Sequence, residues 1–256
     1  MADKTAYQRV KAARRPDKIT TAELINHLTS DFFEQHGDRL EADDPAIIGG
    51  IGLLNDKPIT VVGIQKGSDT DENIARHFGS PTPQGYRKAL RLMKQAEKFH
   101  RPILALVNTP GAWPDVESEY HGQGSAVAQN IIQGMQLRVP YITIIVGEGG
   151  SGGALALSCG DRVFMFEDSI YSVLSPEGYA SIMWKDSSKV KEAAEELKLT
   201  PEALLADGII DKIIHEYQPG EDLSALRDFL DQEFSQLSKL PIDDLVDRRN
   251  QRYRNF

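Results

Sequence analysis

The stretch Tyr141-Ile142-Thr143-Ile144-Ile145-Val146-Gly147-Glu148-Gly149-Gly150-Ser151-Gly152-Gly153-Ala154-Leu155-Ala156-Leu157 decides how this chain is read. Its first six residues form an apolar, β-branched run with the composition of a buried strand, and its last four have that of a buried helix starting near Ala154. The glycines therefore join a strand to a helix N-terminus, where free backbone N–H groups and the positive end of the helix dipole favour negative charge. Five glycines between Gly147 and Gly153 leave the main chain open to a ligand oxygen. That is the construction of an anion or oxyanion hole.

Working outward, strands and helices alternate. Upstream lie a strand, Ile103–Val107, a breaker at Asn108-Thr109-Pro110-Gly111, and a helix from about Gly124 to Leu137 with Ala126, Val127, Ile131 and Met135 inward. Before them, a helix from Gly85 turns Ala89, Leu92, Met93, Ala96 and Phe99 to one side and its cations, Arg87, Lys88 and Arg91 among them, to solvent. Ile47–Ile51 and Ile59–Ile64 read as paired strands around an Asn55-Asp56 turn, and Gln65–Gln84 as a functional loop or partly helical cover. Thr20-Thr21-Ala22-Glu23 fits a capping box before a helix carrying Leu24, Ile25, Leu28 and Phe32.

Downstream, Arg162–Phe166 and Tyr171–Leu174 read as strands and Ser175-Pro176-Glu177 as a helix start. Thr200-Pro201-Glu202 repeats that device before a helix ended by Gly208. Ile209–Ile214 reads as an edge strand, and Leu223, Leu226, Leu230, Phe234 and Leu237 as one amphipathic helix before a polar tail. The pattern is α/β, with helices layered on a sheet. No linker divides it, so the reading is one domain over 1–256: an N-terminal arm and helix (1–36), a core (37–216), and a C-terminal helix and tail (217–256).

Composition bounds the function. With 40% hydrophobic and 26% charged residues, and no apolar run of membrane-spanning length, the chain reads as a soluble globular protein. Met1-Ala2-Asp3-Lys4 lacks a signal-peptide pattern, which points to the cytoplasm. A net charge of −9 argues against general nucleic-acid affinity, and the basic ends (Arg9, Lys11, Arg14, Arg15; Arg248, Arg249, Arg252, Arg254) read as solvated. The single cysteine, Cys159, excludes an internal disulfide and a multi-cysteine zinc site and reads as a core thiol; no metal site is expected.

Three chemistries compete for the glycine stretch. Gly147 to Gly152 satisfies the dinucleotide fingerprint G-x-G-x-x-G, but mid-chain. Gly149-Gly150-Ser151-Gly152-Gly153 satisfies the nucleophile elbow G-x-S-x-G, with Asp207 or Asp211 and then His215 to complete a triad for a hydrolase or thioesterase. The third is an oxyanion hole of backbone N–H groups.

Several longer motifs carry a resemblance. Asn108-Thr109-Pro110-Gly111-Ala112-Trp113-Pro114, Gly147 through Leu157, Tyr171 through Gly178 and Ile182-Met183-Trp184-Lys185-Asp186 closely resemble the carboxyltransferase alpha subunits of bacterial acetyl-CoA carboxylases, in a short form. Gly85 through Met93 and Gly208-Ile209-Ile210-Asp211 fit as well. The likeness runs from about Thr20 to about Ile214.

The resemblance implies a crotonase-like fold of repeated ββα units with C-terminal helices. It also implies half of a shared active site, completed by a zinc-ribbon beta subunit in an alpha-two beta-two assembly. The biotin carboxyl carrier protein would bring carboxybiotin, acetyl-CoA would become malonyl-CoA for fatty acid synthesis, and ATP would be used by a separate biotin carboxylase. By resemblance, the amides of Gly152 and Gly153 hold the biotin ureido oxygen. Gly149, Gly150 and Ser151, the loop Pro110, Gly111 and Ala112, and Ser175, Pro176, Glu177 and Gly178 line the pocket. Gly153→Pro is expected to abolish transfer in a chain that still folds. Arg87, Lys88 and Arg91 are weaker candidates for CoA phosphates. The chain departs from the family pattern at Asp115, through Glu119-Tyr120-His121-Gly122-Gln123, and at Ser125, all in one loop near the pocket. Two alternatives remain: a serine hydrolase or thioesterase using Ser151, and a non-catalytic assembly subunit.

Overall fold

The computed structural model describes residues 4–255. Met1, Ala2 and Asp3, part of the segment read for a leader, lie outside them, as does Phe256. The first departure from expectation is immediate. The basic arm is a helix, α1 (Ala6–Ala13), closed by a capping box between Thr5 and Gln8, and it buries Ala6, Val10, Ala12 and Ala13. Helix α2 (Thr21–Leu28) follows with its own capping box at Thr20 and Glu23. It ends at Leu28, so Phe32 belongs to strand β1 (Ser30–Glu34), and the segment read as arm and helix contributes an edge to the sheet.

Strands β2 (Ile47–Leu54) and β3 (Lys57–Ile64) form a hairpin in which Leu54 faces Lys57 across the two-residue turn. Asn55 and Asp56 both take positive φ, 45° and 61°, the turn geometry whose twist matches paired strands. The segment that follows is partly helical, as expected, with α3 (Thr70–Ala75). Then come α4 (Pro83–Lys98), β4 (Ile103–Thr109), α5 (Val116–Tyr120), α6 (Gln123–Gln136) and β5 (Tyr141–Gly150). After β5 lie α7 (Ser151–Leu155), β6 (Arg162–Phe166), β7 (Ile170–Ser172), α8 (Pro176–Tyr179), α9 (Val190–Glu196), α10 (Pro201–Ala206) and β8 (Lys212–Ile214). The expected polar tail is a second C-terminal helix: α11 (Ser224–Leu237) leads to α12 (Ile242–Arg254).

The sheet runs β1-β2-β3-β4-β5-β6-β8, parallel from β3 onward, with β7 pairing the far end of β5. Because strand side chains alternate, the sheet feeds two cores. Val61, Leu104, Leu106, Ile142, Ile144 and Phe164 meet α2, α11 and Leu245 of α12 on one face. Val62, Ala105, Val107, Ile145 and Met165 meet α4, Leu137 and α7 on the other. Cys159 is buried in that second core, where burial pushes its thiol up to about 12, so it is inert packing.

The inner face of α6 is centred on Ala126, Asn130 and Gly134, with Val127, Ile131 and Met135 at its margins. Phe99, expected inside, is 56% exposed at the end of α4, beside Lys98 and Arg101. The basic ends are solvated only in part, with Lys11, Arg248 and Arg254 exposed. Arg9 pairs with Asp168 at 2.8 Å, and Arg249 is fully buried, with Nε and Nη2 each donating to Asp161 at 2.8 Å.

Candidate active site

The glycine stretch divides differently from its propensities. Gly147 to Gly150 remain in strand because both edges are used: Thr109 of β4 lies opposite Gly149 on one side, and Ile170, Tyr171 and Ser172 of β7 face Glu148, Gly149 and Gly150 on the other. Ser151 then takes a positive φ of 53° and turns the chain into α7, which begins three residues earlier than the sequence suggested. Gly150 is the N-cap, so Gly152 and Gly153 occupy the second and third helical positions. Amides there have no partner one turn back in the helix, which is what an oxyanion hole requires.

The loop at Pro110 packs directly on this turn. A side chain at Gly150 would overlap the Pro110 carbonyl, and a Cβ at Gly153 would lie 2.5 Å from the Ala112 nitrogen and 2.7 Å from both the Gly111 carbonyl carbon and the Tyr86 hydroxyl. Gly111 itself takes a φ of 146°, which favours glycine. Gly152 is different: the nearest atom to a Cβ there is Val127 Cγ1, at an ordinary 3.5 Å. The expectation that Gly153→Pro would fold normally is therefore corrected, since a ring at Gly153 meets the 110–112 backbone. Gly152 is the position that tolerates a probe.

Pro110, Gly149, Gly150, Ser151, Ser175 and Pro176 surround one cavity of about 210 Å³. Gly111 and Ala112 do not line it; their backbone lies against Gly153. Ser175 caps α8 by accepting a hydrogen bond from the Gly178 amide at 3.1 Å, while Glu177 and Gly178 themselves do not line the cavity. Gly152 opens onto an adjoining apolar cavity of about 540 Å³, walled by Leu155, Tyr171, Leu204 and Ile209. Ser151 borders both.

An ion cluster beside the turn escaped the sequence reading. Glu148, 8% exposed, accepts from Arg14 Nε at 2.6 Å and from Lys66 Nζ at 2.5 Å. Arg14 also donates to Glu177, from Nη1 at 2.8 Å and Nη2 at 3.3 Å. Burial alone would raise the Glu148 carboxyl, but Lys66 and Arg14 outweigh it and hold it low. Glu177 is lowered in the same way by Arg14 against its own desolvation. Arg14 thus ties α1 to both loops of the cavity, and the two cations cancel a carboxylate that would otherwise repel an anion at the turn. The available signal was Glu148 itself, a lone charge among glycines after an apolar strand, which needs a buried cation.

Other candidates are not brought to the site. His215 is 3.4 Å from Glu167, Asp211 binds Arg252, and Asp207 faces Lys198 at 3.5 Å. No histidine lines either cavity that Ser151 borders, so its strained turn lacks a base. Arg87, Lys88 and Arg91 are neither solvated nor free: they staple the loop before β2. Arg87 pairs with Asp38 at 2.7 Å, buried Lys88 donates to the Ile47 carbonyl and Asp43, each at 2.8 Å, and Arg91 donates to the Gly37 carbonyl at 3.1 Å. In the divergent loop, Asp115 caps α5 by accepting from the Ser118 amide at 2.7 Å, and buried Gln123 donates to the carbonyls of Pro81 and Trp113.

Comparison with known proteins bears on this arrangement. A family model described as acetyl co-enzyme A carboxylase carboxyltransferase-like matches residues 1–256. An acetyl-coenzyme A carboxylase carboxyl transferase subunit alpha from Streptococcus uberis is 53% identical over 249 residues, covering 96% of this chain and 97% of its own. One from Streptococcus thermophilus is 51% identical with the same coverage. Among solved structures, transcarboxylase 12S with methylmalonyl-coenzyme A and methylmalonic acid bound matches 90% of this chain with a TM-score of 0.73 at 18% identity. The beta subunit of Pseudomonas aeruginosa geranyl-CoA carboxylase matches 93% with a TM-score of 0.70, also at 18%. This chain spans 43% and 46% of those two chains. Such likenesses establish the fold, the crotonase-like α/β architecture that the motifs implied.

Proposed function

The chain belongs to the acetyl co-enzyme A carboxylase carboxyltransferase-like family as an alpha-type subunit, and we propose that its glycine turn receives the biotin ureido oxygen while a carboxyl group passes from carboxybiotin to acetyl-CoA, giving malonyl-CoA. The observation that carries this reading is Gly152 at the second position of α7, where an added Cβ meets only Val127 and the residue lines an apolar cavity.

Carboxybiotin, delivered by a carrier protein, supplies the transferable carboxyl group; everything else said here concerns this chain. As that group leaves, negative charge collects on the ureido oxygen. The amides of Gly152 and Gly153 donate to it, the walls of the apolar cavity exclude water, and each such donor is worth about 10²–10³ in rate where it has been removed elsewhere. The pair Arg14 and Lys66 keeps Glu148 neutralised nearby. The donors are main-chain, so no side chain of this subunit need titrate during turnover. The acceptor enolate, in this reading, is held by the beta partner, which also carries zinc. Biotin carboxylation by ATP belongs to a separate subunit, in a cytoplasmic complex built on an alpha-two beta-two core.

The test is malonyl-CoA-dependent carboxylation of a free biotin derivative, measured with this chain alone and with a cognate beta subunit. Activity in the mixture only is the expected result. A mixture shown to assemble but unable to carry out transfer would reject the reading.

A further inference from the structure

Strands β4 and β5 lose register where the glycine stretch begins. Val107 lies opposite Ile145 but Thr109 lies opposite Gly149, so Asn108 alone faces Val146, Gly147 and Glu148. The Asn108 side chain fills the gap: its Oδ1 accepts from the Glu148 amide at 3.1 Å, and a Cβ at Gly147 would lie 2.6 Å from the same oxygen. Such bulges bend and re-aim a strand beside a site.

Thr109, the next residue, is fully buried and lines neither cavity that Ser151 borders. Its hydroxyl makes two hydrogen bonds, both to Gly111. Oγ1 accepts from the Gly111 amide at 3.0 Å and donates to the Gly111 carbonyl at 2.9 Å. That amide belongs to the 110–111 peptide and that carbonyl to the 111–112 peptide, so one hydroxyl grips both. These are the peptides that seat the start of α7. The Pro110 carbonyl and the Gly111 nitrogen, of the first peptide, are nearest to a Cβ at Gly150, the N-cap. The Gly111 carbonyl carbon and the Ala112 nitrogen, of the second, lie against Gly153 at the third helical position. Gly111, at a φ of 146°, has no side chain to restrict its rotation, which leaves the hydroxyl to fix the angle between the two peptides.

We infer that Thr109 is a positioning residue for the oxyanion hole: its hydroxyl sets the 110–112 peptides and, through their contacts with Gly150 and Gly153, the direction in which the Gly152 and Gly153 amides point. The inference rests on the carboxyl transfer proposed above. Thr109 meets no substrate, so its effect passes through the main chain. An amide aimed wide of a developing charge weakens the transition state more than the ground state. Binding of malonyl-CoA, which places no new charge on the ureido oxygen, is left as it was.

The experiment compares Thr109→Val, of the same shape without the hydroxyl, with Thr109→Ser, which restores it. Both are assembled with a cognate beta subunit and assayed by malonyl-CoA-dependent carboxylation of a free biotin derivative. Thr109→Val should lose up to about 100-fold in kcat, the scale of a misplacement of about 1 Å, at an unchanged KM for malonyl-CoA. Thr109→Ser should recover most of that loss. Thr109→Ala matches serine in size without the hydroxyl, so the Ser and Ala pair decides if Thr109→Val fails to fold. Thr29→Val removes another buried hydroxyl, which donates to the Ile25 carbonyl at 2.7 Å, and should lower the urea midpoint while leaving kcat unchanged. Wild-type kcat in Thr109→Val, or a loss that Thr109→Ser does not reverse, overturns the inference. A readout without turnover separates it from the transfer it rests on. With glycine nitrogens isotope-labelled for NMR in the full-length chain, the Gly152 and Gly153 amide resonances should shift in Thr109→Val and return in Thr109→Ser. An assembled wild type that carries out no transfer rejects the proposed function; resonances that still move assign Thr109 to the placement of those amides, and resonances that stay fixed overturn that as well.

Discussion

Gly152 permits a test in which stability and activity move in opposite directions. A Cβ added there meets only Val127 Cγ1, at 3.5 Å, and the residue lies in the first turn of α7. Alanine in place of glycine in a helix stabilises by up to about 1 kcal/mol, because less backbone freedom is lost on folding. The same methyl occupies space that a ligand oxygen needs to reach the amide, and loss of one oxyanion donor costs about 10²–10³ in rate. Gly152→Ala should therefore show an equal or higher urea midpoint and a strongly reduced kcat/KM for malonyl-CoA-dependent biotin carboxylation in the assembled enzyme. Gly153→Ala serves as the contrast. Its Cβ would sit 2.5 Å from the Ala112 nitrogen, an overpacking that costs about 1–3 kcal/mol, so it should lose stability and activity together. A stable Gly152→Ala subunit with full activity would refute the assignment of this amide, and a destabilised one would refute the open geometry.

Three further outcomes follow from the same geometry. Ser151→Ala should keep its activity and the wild-type chain should resist serine-reactive phosphonates; labelling of Ser151 with loss of turnover would restore the nucleophile that the structure leaves without a base. Arg249→Ala strands Asp161, whose carboxyl burial already raises in spite of Arg249. Removing one partner of a buried pair costs about 3–5 kcal/mol, and a urea midpoint near that of wild type would show that α12 is dispensable to the fold. Burial would raise the Asp43 carboxyl, but hydrogen bonds from Lys88, the Gly37 amide and His36 prevail and hold it at about 2 against an ordinary 3.8. A carboxyl held below its unfolded value contributes stability that is complete above about pH 4 and drains away as the pH falls toward 2. The stability gap between wild type and Asp43→Asn should accordingly close over that window, and a gap that persists at the acid end would assign the effect to packing.

What could be read from sequence was whatever hydrophobic period and glycine composition encode. The strands from Ile47 to Val146, the Asn55-Asp56 turn and the convergence of Pro110 with Gly149 to Ser151 needed only local pattern and the family likeness. The failures share one physical cause: burial carried by alanines and by charges whose partners lie far along the chain. Helix α1 presents little apolar surface, and it is held by Arg9 reaching Asp168 and Arg14 reaching Glu148 and Glu177. Helix α12 is polar almost throughout, and it docks through Arg249 on Asp161 and Arg252 on Asp211. No periodicity reports a salt bridge between residues 41 to 163 apart in the chain, and a cation with an unseen partner reads as solvated. The local sequence signal that α1 carries is the Thr5 and Gln8 spacing of its capping box. The consequence reaches the site. The segment read as a solvated N-terminal arm supplies Arg14, which pairs with Glu148 and Glu177 beside the small cavity, so the geometry of the glycine turn depends on the first helix of the chain as well as on the strand that carries it.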